Sequence, residues 1–308
     1  MSKQCPLFGK CGGCRYDFSA PDYHEQKLRE LKNIPVSGDA IWIAPGVRRR
    51  ADMAFAGGKF GFFEIGTKNI VPTDHCPNVL PEINAILPSV ARLPWSGAGA
   101  CLITVCDNGI DISITSSVPY VTPEFRNASA GLPVARITWN DKIVHMKTMP
   151  VVNFDGHSVE YPSGAFLQPS IPGADALRQL VVSRASGFNR VADLFCGLGN
   201  FTFSLNADGF DVVGTGVRRD LFTHPLTIGM LQQYDCVVMD PPRAGAMAQC
   251  RVLSTSKIQR VIYVSCNPRT FMRDSKILTD GGYNVSEIIP VDQFVGSSHW
   301  ELFAVFDK

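Results

Sequence analysis

Short apolar runs broken by Gly, Pro, Asn and Asp dominate the first half of the chain. Lys59 to Glu64, Cys101 to Val105, Gly109 to Ile114, Ile137 to Trp139 and Lys142 to Met146 read as β-strands, and Pro21 to Lys32 before them as a short charged helix. From Gly164 the texture changes. Ala174 to Ser186 carries a helical pattern, whereas Arg190 to Phe195, Cys236 to Met239, Val261 to Ser265 and Trp300 to Phe306 are near-continuous apolar strands. Strands of that kind are covered on both faces, so the pattern predicts a doubly wound parallel sheet. The expected division is a cysteine-rich segment over 1–36, a β-rich domain over 37–162 and an α/β domain over 163–308.

Composition narrows this only slightly. The 308 residues are 45% hydrophobic and 19% charged with a formal net charge of +1, which excludes a strongly basic scaffold but leaves room for a local basic patch. No run of about 18 apolar residues occurs, and Met1 to Cys14 lacks the apolar stretch of a signal peptide. A cytoplasmic protein with reduced thiols is therefore expected, and its 10 cysteines point to metal ligation or catalysis.

Cys5, Cys11 and Cys14 form C-x5-C-G-G-C, and Cys76 follows in Asp74-His75-Cys76-Pro77. Three thiols within ten residues around a flexible Gly-Gly pair suit a compact metal centre with a remote fourth ligand; zinc and an iron–sulfur cluster both fit. Cys101 and Cys106 sit in a strand pattern and read as core. Arg48-Arg49-Arg50 is the sharpest basic cluster, either a phosphate-binding group or a solvated charge run. Phe55, Phe60, Phe62 and Phe63 nearby read as core for the most part, with base stacking the other use of such rings.

The chemistry concentrates at predicted strand ends. Val191-Ala-Asp-Leu-Phe-Cys-Gly-Leu-Gly-Asn200 runs a strand into a Gly-rich turn that lacks the third glycine of a pyrophosphate loop, and so suits a nucleoside better. Val237-Val-Met-Asp240-Pro-Pro-Arg243 ends a second strand on an acid held by two prolines. Val261-Ile-Tyr-Val-Ser265-Cys266-Asn267-Pro268 ends a third on a cysteine, with Asn267 placed to cap the next helix. That helix terminus and Arg269 are expected to lower the Cys266 pKa. Glu301 lies inside an apolar strand, where burial raises its pKa towards that of a general base.

Together, C-x5-CGGC with DHCP, GAFLQPS at 164–170, DLFCGLGNF, DPPRAG, SCNP with TFMRD and the terminal HWEL resemble the RNA 5-methyluridine methyltransferases. The resemblance covers nearly the whole chain. It implies an α/β, Rossmann-like methyltransferase domain preceded by an iron–sulfur segment and a small mixed β domain that binds RNA. It further implies that Cys5, Cys11, Cys14 and Cys76 hold a [4Fe-4S] cluster, and that Gln168, Phe195, Asn200 and Asp240 contact S-adenosylmethionine. Cys266 is then the nucleophile and Glu301 the base. The layout is similar to that of the smaller ribosomal-RNA enzymes, acting as monomers, with transfer RNA as the other candidate substrate.

One stretch departs from the pattern. Between Asn200 and Asp240 lie 39 residues, whereas three crossovers and two strands need roughly 40–48. No acid follows the apolar run Val212-Val-Gly-Thr-Gly-Val217, where the family holds the cofactor ribose. Our preferred alignment deletes the second strand, makes Val212 to Val217 the third, and assigns the adenine contact to Asp220. A missing ribose acid costs about 1.5–3 kcal/mol of cofactor affinity. A catalytically weakened RNA-binding homologue is therefore the competing expectation. A cytosine-C5 enzyme fits less well, because its cysteine more often follows proline.

Overall fold

The computed structural model describes residues 5–308; the first four residues of the cysteine-rich segment lie outside them. Two mixed sheets carry the structure. The larger has eight strands in the order Ile41–Trp42, Asn284–Asp292, Glu301–Asp307, Arg260–Ser265, Cys236–Met239, Val191–Leu194, Asp208–Asp211 and Val217–Arg218. All neighbours run parallel except Glu301–Asp307, which is antiparallel to both of its partners. Side chains alternate between faces with period two. Ala192, Leu194, Val237, Met239, Val261 and Tyr263 pack on one side, beneath Leu253, Phe271 and Leu278 of helices Met247–Ser254 and Pro268–Asp280. Val191, Cys236, Val238, Ile262 and Val264 pack on the other against Leu177 and Val181 of helix Ile171–Ala185. Burial on both faces is the reason these strands read as unbroken apolar runs.

The second sheet has seven strands, from Ile70–Pro72 at one edge to Lys142–Met146 at the other. Its core face is covered by helices Pro81–Ala91 and Pro123–Ser129, which bury Ile83, Leu87, Val90 and Phe125 against Trp95 and Trp139. Phe55 and Phe60 belong to this core, as expected, while Phe63 is half exposed. Cys101 and Cys106 are buried in the same sheet.

The two sheets exchange chain at both ends of the 37–162 segment. Ile41–Trp42 pairs parallel with Val291 and Asp292, so the chain adds a strand to the α/β sheet before entering the second one. The hairpin Val151–Phe154 with His157–Glu160 leaves the β sheet, and Val152 and Phe154 pack against Leu198 of the Gly-rich turn and Phe203 of the helix after it. Side-chain chemistry decides both departures. Trp42 lodges between His24, stacked at 3.7 Å, and Trp300 at 5.2 Å, and aromatic pairs in those geometries add to the area they bury.

The short helix Tyr23–Leu28 anchors the amino-terminal segment. Its Lys27 is fully buried and forms an ion pair with the equally buried Asp292, which also accepts a 2.5 Å hydrogen bond from Tyr23 Oη. No helix among the described residues is long and apolar enough to cross a membrane. Removing one partner of a buried ion pair strands the other charge. Lys27→Ala is expected to cost about 3–5 kcal/mol in denaturant unfolding, and a loss below about 1 kcal/mol, the range of a surface pair, would show that the pair does not anchor the segment.

Candidate active site

Strand register explains why Cys266 and Glu301 meet. Arg260–Ser265 and Glu301–Asp307 are antiparallel with Ser265 opposite Leu302, so the residue after the first strand faces the residue that starts the second. Met239 is level with Tyr263 and Leu194 with Met239, which puts Asp240 and the turn beginning at Phe195 on the same edge of the sheet. Gln168, just ahead of helix Ile171–Ala185, reaches the edge from above and donates to Asp240 Oδ2 at 2.7 Å.

Gln293 completes the group and was not singled out in the sequence. Fully buried, it follows Asn284–Asp292, and its Nε2 donates both to Glu301 Oε2 at 2.6 Å and to Gln168 Oε1 at 2.8 Å. Asp240, Gln168, Gln293 and Glu301 thus form one hydrogen-bonded chain. The missed signal was an amide next to Asp292 at the end of a strand that the apolar pattern did not mark.

Burial sets the protonation states. Glu301 is 2% exposed, and desolvation followed by the Asp240 charge pushes its carboxyl well above the usual range, with the Gln293 hydrogen bond pulling back. Asp240 is pushed up to about 8 by desolvation and by Asp193, against the Gln168 hydrogen bond. Glu301 meets the expectation of a raised pKa. Cys266 overturns its own: desolvation, then Glu301 and Asp240, push the thiol up to about 12, with Arg243 as the opposing cation. The helix terminus does not offset this, because Asn267 caps it and accepts from Arg269 N. Asn267 also donates to Arg243 O at 2.8 Å, joining the SCNP and DPPR loops.

The Gly-rich turn shows two marks of a binding site. Phe195, half-buried, holds a left-handed φ of 62°, and a non-glycine residue in that region is strained unless its surroundings fix it. Both polar side-chain atoms of Asn200 are buried without a partner, and such atoms cost free energy unless a ligand or water satisfies them. Asp193, fully buried, accepts from Thr202 Oγ1 at 2.5 Å and fixes the start of the helix after the turn.

The expected deletion of the second strand is corrected. Asp208–Asp211 pairs parallel with Val191–Leu194 and is that strand, although its only large apolar residue is Phe210. It ends on Asp211, whose Oδ2 accepts from Gly197 N at 2.8 Å, so an acid does stand at the second strand's end. The third strand is reduced to Val217–Arg218, followed by Asp220, which accepts from Phe222 N and Thr223 Oγ1 within its own turn. Those two bonds lower the Asp220 pKa. Phe222 leans on Phe195 at 5.4 Å. What is absent is the crossover: residues 212–216 join two parallel strands without a helix, and Val212, Val213 and Val217 are exposed. Parallel neighbours normally need a dozen or more connecting residues.

The four candidate ligand cysteines come together. Cys5, Cys11, Cys14 and Cys76 line one cavity of about 1650 Å³ that lies between the amino-terminal segment and the β sheet and reaches His299. Desolvation and then the charges of Cys76, Cys11 and Cys5 push Cys14 up to about 12. Among the described residues, no three His, Cys, Asp or Glu side chains close tightly enough to hold a single metal ion. Arg49 and Arg50 are held by acceptors within the protein, while Arg48 is half-buried on the cavity wall. Arg48 faces Cys76 and Cys14; Arg49 donates to Val105 O and Asp107; Arg50 donates to Leu167 O and lies over Phe166.

Residues 222–308 match the family described as tRNA (uracil-5-)-methyltransferase. An uncharacterized RNA methyltransferase of Mesorhizobium japonicum is 35% identical over 345 aligned positions, covering 99% of this chain and 84% of the relative. The 345 positions exceed the 308 residues of the chain, so the relative carries stretches that this chain lacks. A 23S rRNA (uracil(1939)-C(5))-methyltransferase of Cronobacter sakazakii is 29% identical, covering 99% of this chain and 82% of the relative. The crystal structure of Pyrococcus abyssi tRNA (uracil-54, C5)-methyltransferase with S-adenosyl-L-homocysteine has the same fold, with a TM-score of 0.71 at 21% identity, covering 92% of this chain and 82% of that one.

A thiol raised this far alkylates slowly at neutral pH, since the thiolate is the reactive form. Peptide-resolved iodoacetamide labelling of Cys266 in the ligand-free protein is expected to keep accelerating above pH 9; a plateau below pH 8 would contradict the electrostatics described.

Proposed function

The chain belongs to the S-adenosylmethionine-dependent RNA uracil-C5 methyltransferase family, and on that footing we propose that it methylates C5 of a uridine in 23S ribosomal RNA through a covalent Cys266 adduct. The observation that supports this most is the meeting of Cys266, Asp240 and Glu301 at one sheet edge beside the unsatisfied Asn200. The ribosomal substrate rests on the Cronobacter relative.

S-adenosylmethionine supplies the methyl group and a positively charged sulfonium. In this reading Gln168, Phe195, Asn200, Asp220 and Asp240 bind it, and Asp211 stands beside them at the turn. Cys266 Sγ adds to uracil C6, which makes C5 an enolate carbon able to attack the methyl group. Glu301 then removes the C5 proton, the Sγ–C6 bond breaks, and the C5=C6 double bond re-forms. Desolvation and the neighbouring acidic groups push Asp240, Cys266 and Glu301 towards their protonated forms. A cation brought among them favours the ionised forms of Cys266 and Glu301, so cofactor binding and nucleophile activation are coupled.

Cys5, Cys11, Cys14 and Cys76 line one cavity, and four thiolate donors are the ligand set that a [4Fe-4S] cluster takes. A Cβ on Gly296 would meet Cys14 Sγ at 2.9 Å, so the cysteine segment sits directly on the loop that leads to Glu301. The cavity's mixed lining, with Arg48, Lys68 and His75 among Phe8, Phe62 and Phe63, suits unstacked bases and phosphate. A uridine must leave its stack to reach a buried site, which costs least from an unpaired strand.

The short 212–216 connection favours one other reading, an RNA-binding homologue without cofactor affinity. Calorimetric titration of anaerobically purified protein with S-adenosylhomocysteine separates the two: micromolar binding is expected, and none at millimolar ligand with the protein folded would select the alternative. With unmodified 23S rRNA, Cys266→Ala is expected to abolish methyl transfer and retain RNA binding. Glu301→Gln is expected to accumulate an RNA–protein adduct on denaturing gels; turnover by the first variant or no adduct with the second would remove that residue from the mechanism. Transfer only to unmodified tRNA would replace the ribosomal substrate.

A further inference from the structure

Glu301 has two oxygens in different situations. Oε2 accepts from Gln293 Nε2 at 2.6 Å, whereas Oε1 is buried with no partner. The groups that face this carboxylate are Asp240, after Cys236–Met239, and Cys266, after Arg260–Ser265, with Arg243 beyond the thiol. Gln293 itself is crowded into one position. A Cβ on Gly173 would lie 2.7 Å from both its Cβ and its Oε1, so the first turn of helix Ile171–Ala185 packs directly on it.

Resting on the methyl-transfer reading, we propose that Gln293 is a positioning residue. Its amide locks Glu301 Oε2, reserves Oε1 as the atom that takes the C5 proton, and ties the base to the cofactor contacts through Gln168. In the step concerned, the C5–H bond breaks, the proton moves to Oε1, its electron pair forms C5=C6, and Cys266 Sγ leaves C6. A neutral donor bonded to Oε2 stabilises the ionised carboxylate that must accept this proton. It also holds the carboxylate in one orientation, which a reaction with a single productive geometry requires.

Gln293→Met keeps the side-chain length and removes the donor. The Glu301 pKa then rises, so the ascending limb of the pH profile for adduct breakdown moves to higher pH. We expect the midpoint to rise by about one unit and breakdown at pH 7 to slow about tenfold, while adduct formation stays within about twofold. Gly173→Ala crowds Gln293 without deleting it and is expected to shift the profile in the same direction by less, which guards against a misfolded first variant. A Gln293→Met protein that binds S-adenosylhomocysteine normally and resolves its adduct with the wild-type profile overturns the inference. If the wild type forms no adduct at all, the methyl-transfer mechanism itself fails instead.

Discussion

Burying a charge is tolerable only beside its opposite, and the Lys27–Asp292 pair is where this chain accepts that cost. Asp292 is the last residue of its strand and the neighbour of Gln293. Fixing it fixes the start of the loop from Phe294 to His299, which the rest of the amino-terminal segment then clamps. Lys27 also donates to Phe294 O, Tyr23 Oη accepts from Gly296 N, and Arg15 N and Tyr16 N donate to Gly296 O. Asn78, two residues past Cys76, donates to Val295 O at 2.7 Å. The loop ends at Glu301, so the placement of the proposed base depends on residues nearly three hundred positions away.

The edge of the sheet is the second constraint. It gathers a thiol and two carboxyl groups that cannot all ionise while desolvated, and burial pushes each towards its protonated form. Two glutamine amides connect them, Gln168 donating to Asp240 and Gln293 to Glu301. Amides suit this role because they donate without adding charge, so the ionisation balance is left to the ligand. The arginines at 48–50 serve the same assembly from behind. Arg50 donates to Leu167 O and Arg49 N to Pro169 O, bracing the segment that carries Gln168, while Arg48 faces the cysteines.

The compressed region after the Gly-rich turn is the least regular part. Val212, Val213, Val217 and Phe222 are exposed where a crossover helix ordinarily covers the sheet. The edge nonetheless keeps its order, because Phe210 and Leu221 are buried in the main core and Asp211 ties its strand to Gly197. The loss therefore falls on the outer layer, while the strand ends that face the cofactor side stay in register.

The sequence alone determined the α/β class, the apolar strands, the Asn267 cap and the residues that end those strands. Each follows from local rules: period-two burial, turn chemistry, or the cost of an acid among apolar neighbours. It also supplied the family resemblance through motifs confined to single loops. It did not reveal the second strand, whose four residues Asp208 to Asp211 hold one large apolar side chain, nor the strand at Ile41–Trp42, which is two residues long. The state of Cys266 was misjudged because its helix and Arg269 are local, whereas Glu301 and Asp240 come from other strands. Gln293 could not be singled out for the same reason. Charge and hydrogen bonding act through space, and only the tertiary structure sets which groups lie within a few ångströms of one another.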